Sequence, residues 1–154
     1  YLVSDELKLL NAYFDIMNLR YEKTISFITD IADDILSCSV PVVFLQPLLE
    51  NSISHGILKK SERKGTVVLT GEQVQENLVF TIEDDGVGMS DEMLEMMNNG
   101  TYTPADTSDY HGSSIGVTNI QERIRLLYGF EYGVQYTRGS VGGTIVTVTI
   151  PVNH

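Results

Sequence analysis

Across Ile145–Ile150 apolar and polar residues alternate almost perfectly, and a glycine-bearing turn (Gly139, Gly142, Gly143) separates this run from a second β-rich stretch, Tyr132–Arg138. A period of two belongs to a strand, and two such runs joined by glycines form a hairpin. A second pair is expected at Val67–Thr70 and Leu78–Asp84, around the polar Gly71–Asn77 connection, and residues 24–31 (TISFITDI) read as a further strand. Helical periods fill the intervals. Leu7, Leu10, Phe14, Met17 and Tyr21 make one apolar stripe on residues 4–23, with Ser4 as N-cap and Asp5 and Glu6 in the first turn. Pro41 opens a second helix through about Leu58, Ser90–Asn98 reads as a short third, and Ser114–Tyr128 as a fourth, stopped by Gly129. Strands that cluster in pairs predict an α/β (α+β) two-layer sandwich: a mixed, largely antiparallel sheet with helices packed on one face.

At 154 residues the chain suits one core, and 42% hydrophobic with 20% charged residues is ordinary globular composition. No apolar run approaches the roughly 20 residues of a membrane-spanning helix, and no signal segment opens the chain. It begins at Tyr1 without a methionine and so reads as a piece of something longer. Cys38 is the single cysteine, which rules out an internal disulfide and favours a reducing compartment. A net charge of −11 leaves no basic footprint for nucleic acid. An anionic ligand would need its charge met locally, by backbone N–H groups, a metal ion and a few cations.

Four segments could carry chemistry. In Ile82-Glu83-Asp84-Asp85-Gly86-Val87-Gly88-Met89 a strand ends in carboxylates and turns through two glycines. Such a turn lets backbone approach a flat ligand, and a carboxylate there can accept a hydrogen bond from an exocyclic amine. It also fits an acidic surface turn. A calcium loop is excluded by Phe80 and Thr81 at the position of an oxygen ligand, and a dinucleotide fingerprint by Asp91 where glycine is required. In Gln46–Gly56, Leu45, Leu48, Leu49, Ser52 and Ile53 can face the core while Glu50, Asn51, Ser54 and His55 crowd the other side. A carboxamide suits Mg²⁺, but a solvated polar face looks the same. His111–Val117 runs a glycine loop into a helix N-terminus, open to phosphate or simply a hinge. It is no Walker loop, because its glycines lie one residue too close and no Lys-Ser/Thr follows. Gly142-Gly143-Thr144 opens the last strand. Residues 99–113 show no period and are expected to form a lid.

The order of these segments resembles the superfamily of gyrase B, histidine kinases and MutL (GHKL, HATPase). The finer resemblance is to the LytS/YesM type of sensor histidine kinase, through Leu45-Gln46-Pro47-Leu48-Leu49-Glu50-Asn51 and through Gly116-Val117-Thr118-Asn119-Ile120-Gln121-Glu122-Arg123-Ile124. It covers essentially the whole chain. It implies that Asn51 ligates Mg²⁺ and that its neighbour Glu50 polarises the acceptor or water. His55 would lie at the nucleotide. Asp84 would bind adenine N6, in a pocket shaped by Gly86, Gly88 and Met89. Gly112, Ser113, Ser114, Ile115, Gly116 and Val117 would serve the phosphates, and Thr144 an adenine water network. Residues 1–23 would be a linking helix from an upstream dimerisation domain and 24–154 the ATP-binding domain, with the lid at 99–113.

The resemblance further implies transfer of the γ-phosphoryl group of ATP to a histidine on that upstream domain. The parent would be a homodimer signalling to a response regulator, its catalytic domain cytoplasmic and the whole anchored in the bacterial inner or plasma membrane. Three positions inform the reading. Ser54 stands where related kinases commonly have lysine, and Ser114 where they have glycine, which leaves a degenerate nucleotide-binding or interaction module as the alternative. Lys59, Lys60, Arg123 and Arg125 are the candidate replacement cations. Pro47 occupies the place of the water-activating carboxylate of the gyrase branch, which argues against a dedicated ATP hydrolase.

Overall fold

The computed structural model describes residues 1–21, 24–62, 64–99 and 113–153, the first seven of the last stretch by backbone alone. Five strands, β1 (Ile25–Ile31), β2 (Gly65–Val74), β3 (Asn77–Asp84), β4 (Gly133–Arg138) and β5 (Thr144–Pro151), form one sheet in the order β1-β2-β3-β5-β4. β1 pairs parallel with β2, and every other pairing is antiparallel. The mixed two-layer expectation therefore holds.

Register explains the layers. Leu69, Ile82, Val146 and Tyr136 lie in one row across four strands, and all are buried. The adjacent residues Thr70, Thr81, Thr147 and Gln135 form the next row, on the opposite face. One face is apolar and covered, the other lined with hydroxyls. The covering layer is α1 (Val3–Arg20), through Leu10, Phe14 and Met17, with Leu45, Leu48, Leu49, Ile53 and Ile57 of the second helical segment and Ile120 and Ile124 of α4 (Ser113–Tyr128). Phe44 meets Phe80 edge-on at 5.3 Å between ring centroids at the middle of this core.

The second helical segment differs from expectation in ways that matter to the site. It does not open at Pro41: residues 41–45 are irregular and Val43 stands at φ 53°, outside the helical region. α2 begins at Gln46 (Gln46–Asn51), with Pro47 in the first turn, where its missing N–H costs nothing. The segment then widens into a π turn over Ser52–Gly56 and ends as a 3₁₀ turn at Ile57–Lys59. Single π turns of this kind occur often at functional sites. α1 is capped at Leu2 rather than Ser4, and the Leu2 N–H donates to Asp5 Oδ2 at 2.9 Å. β2 and β3 extend through the expected Gly71–Asn77 connection and leave a turn of Gln75 and Glu76, with Gln75 at φ 57°.

Glu6 is the buried carboxylate of α1, with 1% of its surface exposed. Its Oε2 accepts from the Leu45 N–H at 2.7 Å and the Gln46 N–H at 3.2 Å, and its Oε1 accepts from the Tyr1 hydroxyl at 2.5 Å. It thereby satisfies two of the N–H groups that a helix start leaves without intrahelical partners.

Candidate functional site

At one end of the sheet, the last residue of β3, the first of β5 and the π turn converge on Asp84. Its carboxylate is 2% exposed, and its Oδ1 accepts from the Gly86 N–H at 2.9 Å. The Thr144 N–H also bonds to it. Burial pushes its pKa up from 3.8 to about 6; the two N–H groups oppose that rise, and the charge of Asp85 adds to it. The neighbouring acids have other work. Asp85 Oδ1 accepts from the Thr66 N–H at 2.9 Å, and Glu83 Oε2 from the Ser140 N–H at 3.2 Å and its hydroxyl at 3.0 Å. Of the three adjacent carboxylates, only Asp84 points inward.

The convergence requires missing side chains. A Cβ on Gly56 would stand 2.7 Å from Asp84 Oδ1, one on Gly86 would stand 2.6 Å from the Gly56 carbonyl oxygen, and one on Gly143 would overlap the Asp84 carbonyl group. These glycines are where three chain segments meet with no room between them. A small deep cleft results, floored by Asp84, Ser52, Gly56 and Val146 and rimmed by Thr144. Asn51, His55, Gly88 and Met89 line both this cleft and a wider cavity of about 230 Å³ that adds Ser90, Met93 and Met97. Asn51 is itself 6% exposed, so it does not belong to a solvated polar face.

The outer wall is α3 (Asp91–Asn99), none of whose residues is buried. Ser90 Oγ caps it, accepting from the Met93 N–H at 3.1 Å. Its far end is fixed by Asn98, whose Nδ2 donates to the Tyr136 carbonyl at 2.9 Å while its Oδ1 accepts from the Tyr136 N–H at 2.6 Å. The side chain thus mimics one rung of a further strand beside β4. An ion pair between Arg138 and Asp91 ties down the near end. Met89, Met93 and Met97, at steps of four, present a flexible, polarisable wall to the cavity.

Of the residues singled out from sequence, the structure brings Asn51, His55, Asp84, Gly88, Met89 and Thr144 together, with Gly86 packed behind them. Glu50 is not on the cavity wall; its carboxylate accepts from Gln46 Nε2 at 3.1 Å. Ser113, Ser114, Ile115, Gly116 and Val117 form the first turns of α4. Gly112 and the lid expected at 99–113 lie outside the described residues, save the two end residues. Two candidate replacement cations are engaged elsewhere: the Arg123 guanidinium donates to the Val42 carbonyl at 2.7 Å, and that of Arg125 lies over the Phe130 ring at 5.5 Å. Sequence reasoning missed Ser90, Met93 and Met97, although the Met89–Met93–Met97 spacing could have shown them. It also missed Gly56 and Gly143 as close-approach points, which no local pattern reveals.

The chain belongs to the histidine kinase-, DNA gyrase B- and HSP90-like ATPase family, whose profile matches residues 42–154. It is 30% identical to the sensor histidine kinase YesM of Bacillus subtilis, over 99% of this chain and 24% of that protein. It is likewise 30% identical to the sensor protein LytS of Oceanobacillus iheyensis, over 97% of this chain and 25% of that protein. It thus spans about a quarter of the length of these relatives. The catalytic domain of histidine kinase ThkA has the same fold, with a TM-score of 0.72 at 14% identity over 98% of this chain and 94% of that one. ThkA has also been solved in complex with a response regulator protein, TrrA (TM-score 0.69, 13% identity, 98% of this chain and 40% of that one).

Proposed function

We propose that this chain is the ATP-binding catalytic domain of a two-component sensor histidine kinase, which transfers the γ-phosphoryl group to a histidine on a separate dimerisation domain. The buried, inward-pointing Asp84 carries the reading. A carboxylate at the floor of a narrow cleft, with glycines on three sides, accepts the N6 amine of a flat base and disfavours a base with a carbonyl oxygen at that place. In this reading Gly88 and Met89, which line the cleft, would border the base, Thr144 would hold a bridging water, and Met93 and Met97 would contact the outer face of the base.

Asn51 and His55 lie on the triphosphate side. Among the described residues no three His, Cys, Asp or Glu side chains cluster as a metal site. The buried Asn51 carboxamide is a single neutral oxygen donor, which suits an ion that brings its other ligands as phosphate oxygens and waters. Mg²⁺ bound this way would supply neutralisation of the charge developing on the phosphoryl group. Glu50, beside Asn51, is assigned to polarising the incoming acceptor, and Gly112, with the start of α4 from Ser113 to Val117, to the phosphates through backbone N–H groups. Residues 1–23 link this domain to the upstream histidine domain. The parent is assigned as a homodimer that passes its phosphoryl group to a response regulator. Among the described residues no helix is long and apolar enough to cross a membrane; the domain is placed on the cytoplasmic side of a membrane-anchored parent.

A second reading, a nucleotide-binding module without transfer, draws support from Arg123 and Arg125. Both are engaged away from the cavity, and Ser54 supplies no replacement charge. Radiolabelled Mg-ATP given to this chain alone, and then with the upstream histidine domain of the parent, separates the two. Acid-labile label on the added domain only is the expected result. ATP binding without any label supports the second reading, and stable label on this chain alone contradicts the assignment of the acceptor to another domain.

A further inference from the structure

Glu6 has no place in the nucleotide cavity, yet it is the most deeply buried acid of the described residues. Its carboxylate holds the first two N–H groups of the segment that carries the site. From there the order passes along one helix. The Leu49 N–H bonds to the Leu45 carbonyl at 3.0 Å, the Ser52 N–H to Leu48 and Leu49, and Gln46 reaches Glu50. Asn51 lies at the end of this run. Two turns along α1, burial and then the charge of Glu50 hold the Tyr13 hydroxyl above its ordinary range.

We propose that Glu6 is a positioning residue for the metal-binding half of the nucleotide site: by fixing where α2 starts, it fixes where Asn51 is presented. This rests on the assignment of Asn51 to Mg²⁺. Removing the carboxylate leaves two buried amides without an acceptor, and the first turn of α2 must shift or fray to reach one. Asp84 stands on another element, β3, and the N–H groups bonded to its carboxylate, those of Gly86 and Thr144, lie outside the helical segment. The inference therefore separates two halves of one site. A disturbance of α1 reaches the phosphate and metal side and leaves the base side alone.

The test is calorimetric ATP binding to the native, Glu6→Ala and Glu6→Gln proteins, with Mg²⁺ and with EDTA, beside amide exchange over residues 45–51. Glu6→Gln keeps an oxygen for the two amides. Expected is a loss of about tenfold or more in Mg-ATP affinity for Glu6→Ala, with less than about twofold in EDTA and substantial recovery in Glu6→Gln. Equal losses with and without Mg²⁺, or no loss from a folded Glu6→Ala protein, overturn the proposal. If the native protein binds no ATP, the nucleotide reading fails instead, and exchange decides the present point. Faster exchange at 45–51 in Glu6→Ala, restored in Glu6→Gln, upholds the positioning of α2 by Glu6; unchanged exchange overturns it.

Discussion

Gly56 presents a bare α-carbon to the Asp84 carboxylate, so close that a methyl group there would stand 2.7 Å from Oδ1. The φ of Gly56 is −102°, which any residue can adopt, so space alone demands glycine here. Gly56→Ala should therefore leave the helical segment able to form but drive the carboxylate from its position. We expect ATP affinity to fall by about tenfold or more, with a loss of about 1–3 kcal/mol in stability from the overpacking. Calorimetry beside thermal unfolding checks this, and native affinity in the variant would contradict the tight contact.

Asp84 should make stability and binding respond to pH in opposite senses. Its folded-state pKa is about 6 against 3.8, so between these values the folded protein holds a proton that the unfolded chain has released. Its contribution to stability is complete below 3.8 and is lost as pH rises through about 6, a difference of about 3 kcal/mol. Asp84→Asn should abolish that component, which urea unfolding at pH 4 and pH 7.5 would reveal as a flatter profile than the native one. ATP should behave conversely. The adenine amine needs the ionised carboxylate, so affinity should weaken as pH falls below about 6. Native protein should prefer ATP to GTP and Asp84→Asn should lose that preference; equal affinity of the native protein for both nucleotides would remove adenine from the site.

Asn98 should matter more than an end residue of an exposed helix ordinarily does. Its amide makes both an accepting and a donating bond to Tyr136, on the edge strand. Asn98→Ala should cost about 1–3 kcal/mol and speed amide exchange in α3 and at Tyr136. Exchange confined to native rates would show that the Arg138–Asp91 pair alone holds the helix.

Met97→Gln should weaken nucleotide binding without unfolding the protein, because Met97 lines the cavity but lies outside the fully buried core. A polar amide in place of the thioether removes apolar contact with the base; about a threefold to tenfold loss is expected for one such wall residue. An unchanged titration would move the base away from α3.

How legible this was depended on the range of the physics involved. The strands were visible because alternation is local and the sheet has one wet face: the Thr70, Thr81 and Thr147 row is the same fact seen from outside. Asp84 and Asn51 could be picked out because each stands in a segment with its own composition. The start of α2 was misplaced because Pro41 and Pro47 are equally good openers, and the choice is made by Glu6, 39 residues before Leu45. The glycine contacts and the Asn98 rung were hidden for the same reason, since each pairs residues from distant parts of the chain. Where the Glu50 side chain lies was hidden too: its carboxylate accepts from Gln46, one helical turn back.

The tight turn at Gln75 and Glu76 closes the end of β3 opposite Asp84. From Asn77 to Asp84 the strand rises roughly 23 Å at about 3.3 Å per residue. Cys38, the chain's single cysteine, has none of its surface exposed. A cysteine introduced at the exposed Glu76 would therefore be the one thiol open to a maleimide dye. The molecule thus offers an attachment point for a fluorophore or a surface tether that leaves the nucleotide end of the sheet facing away.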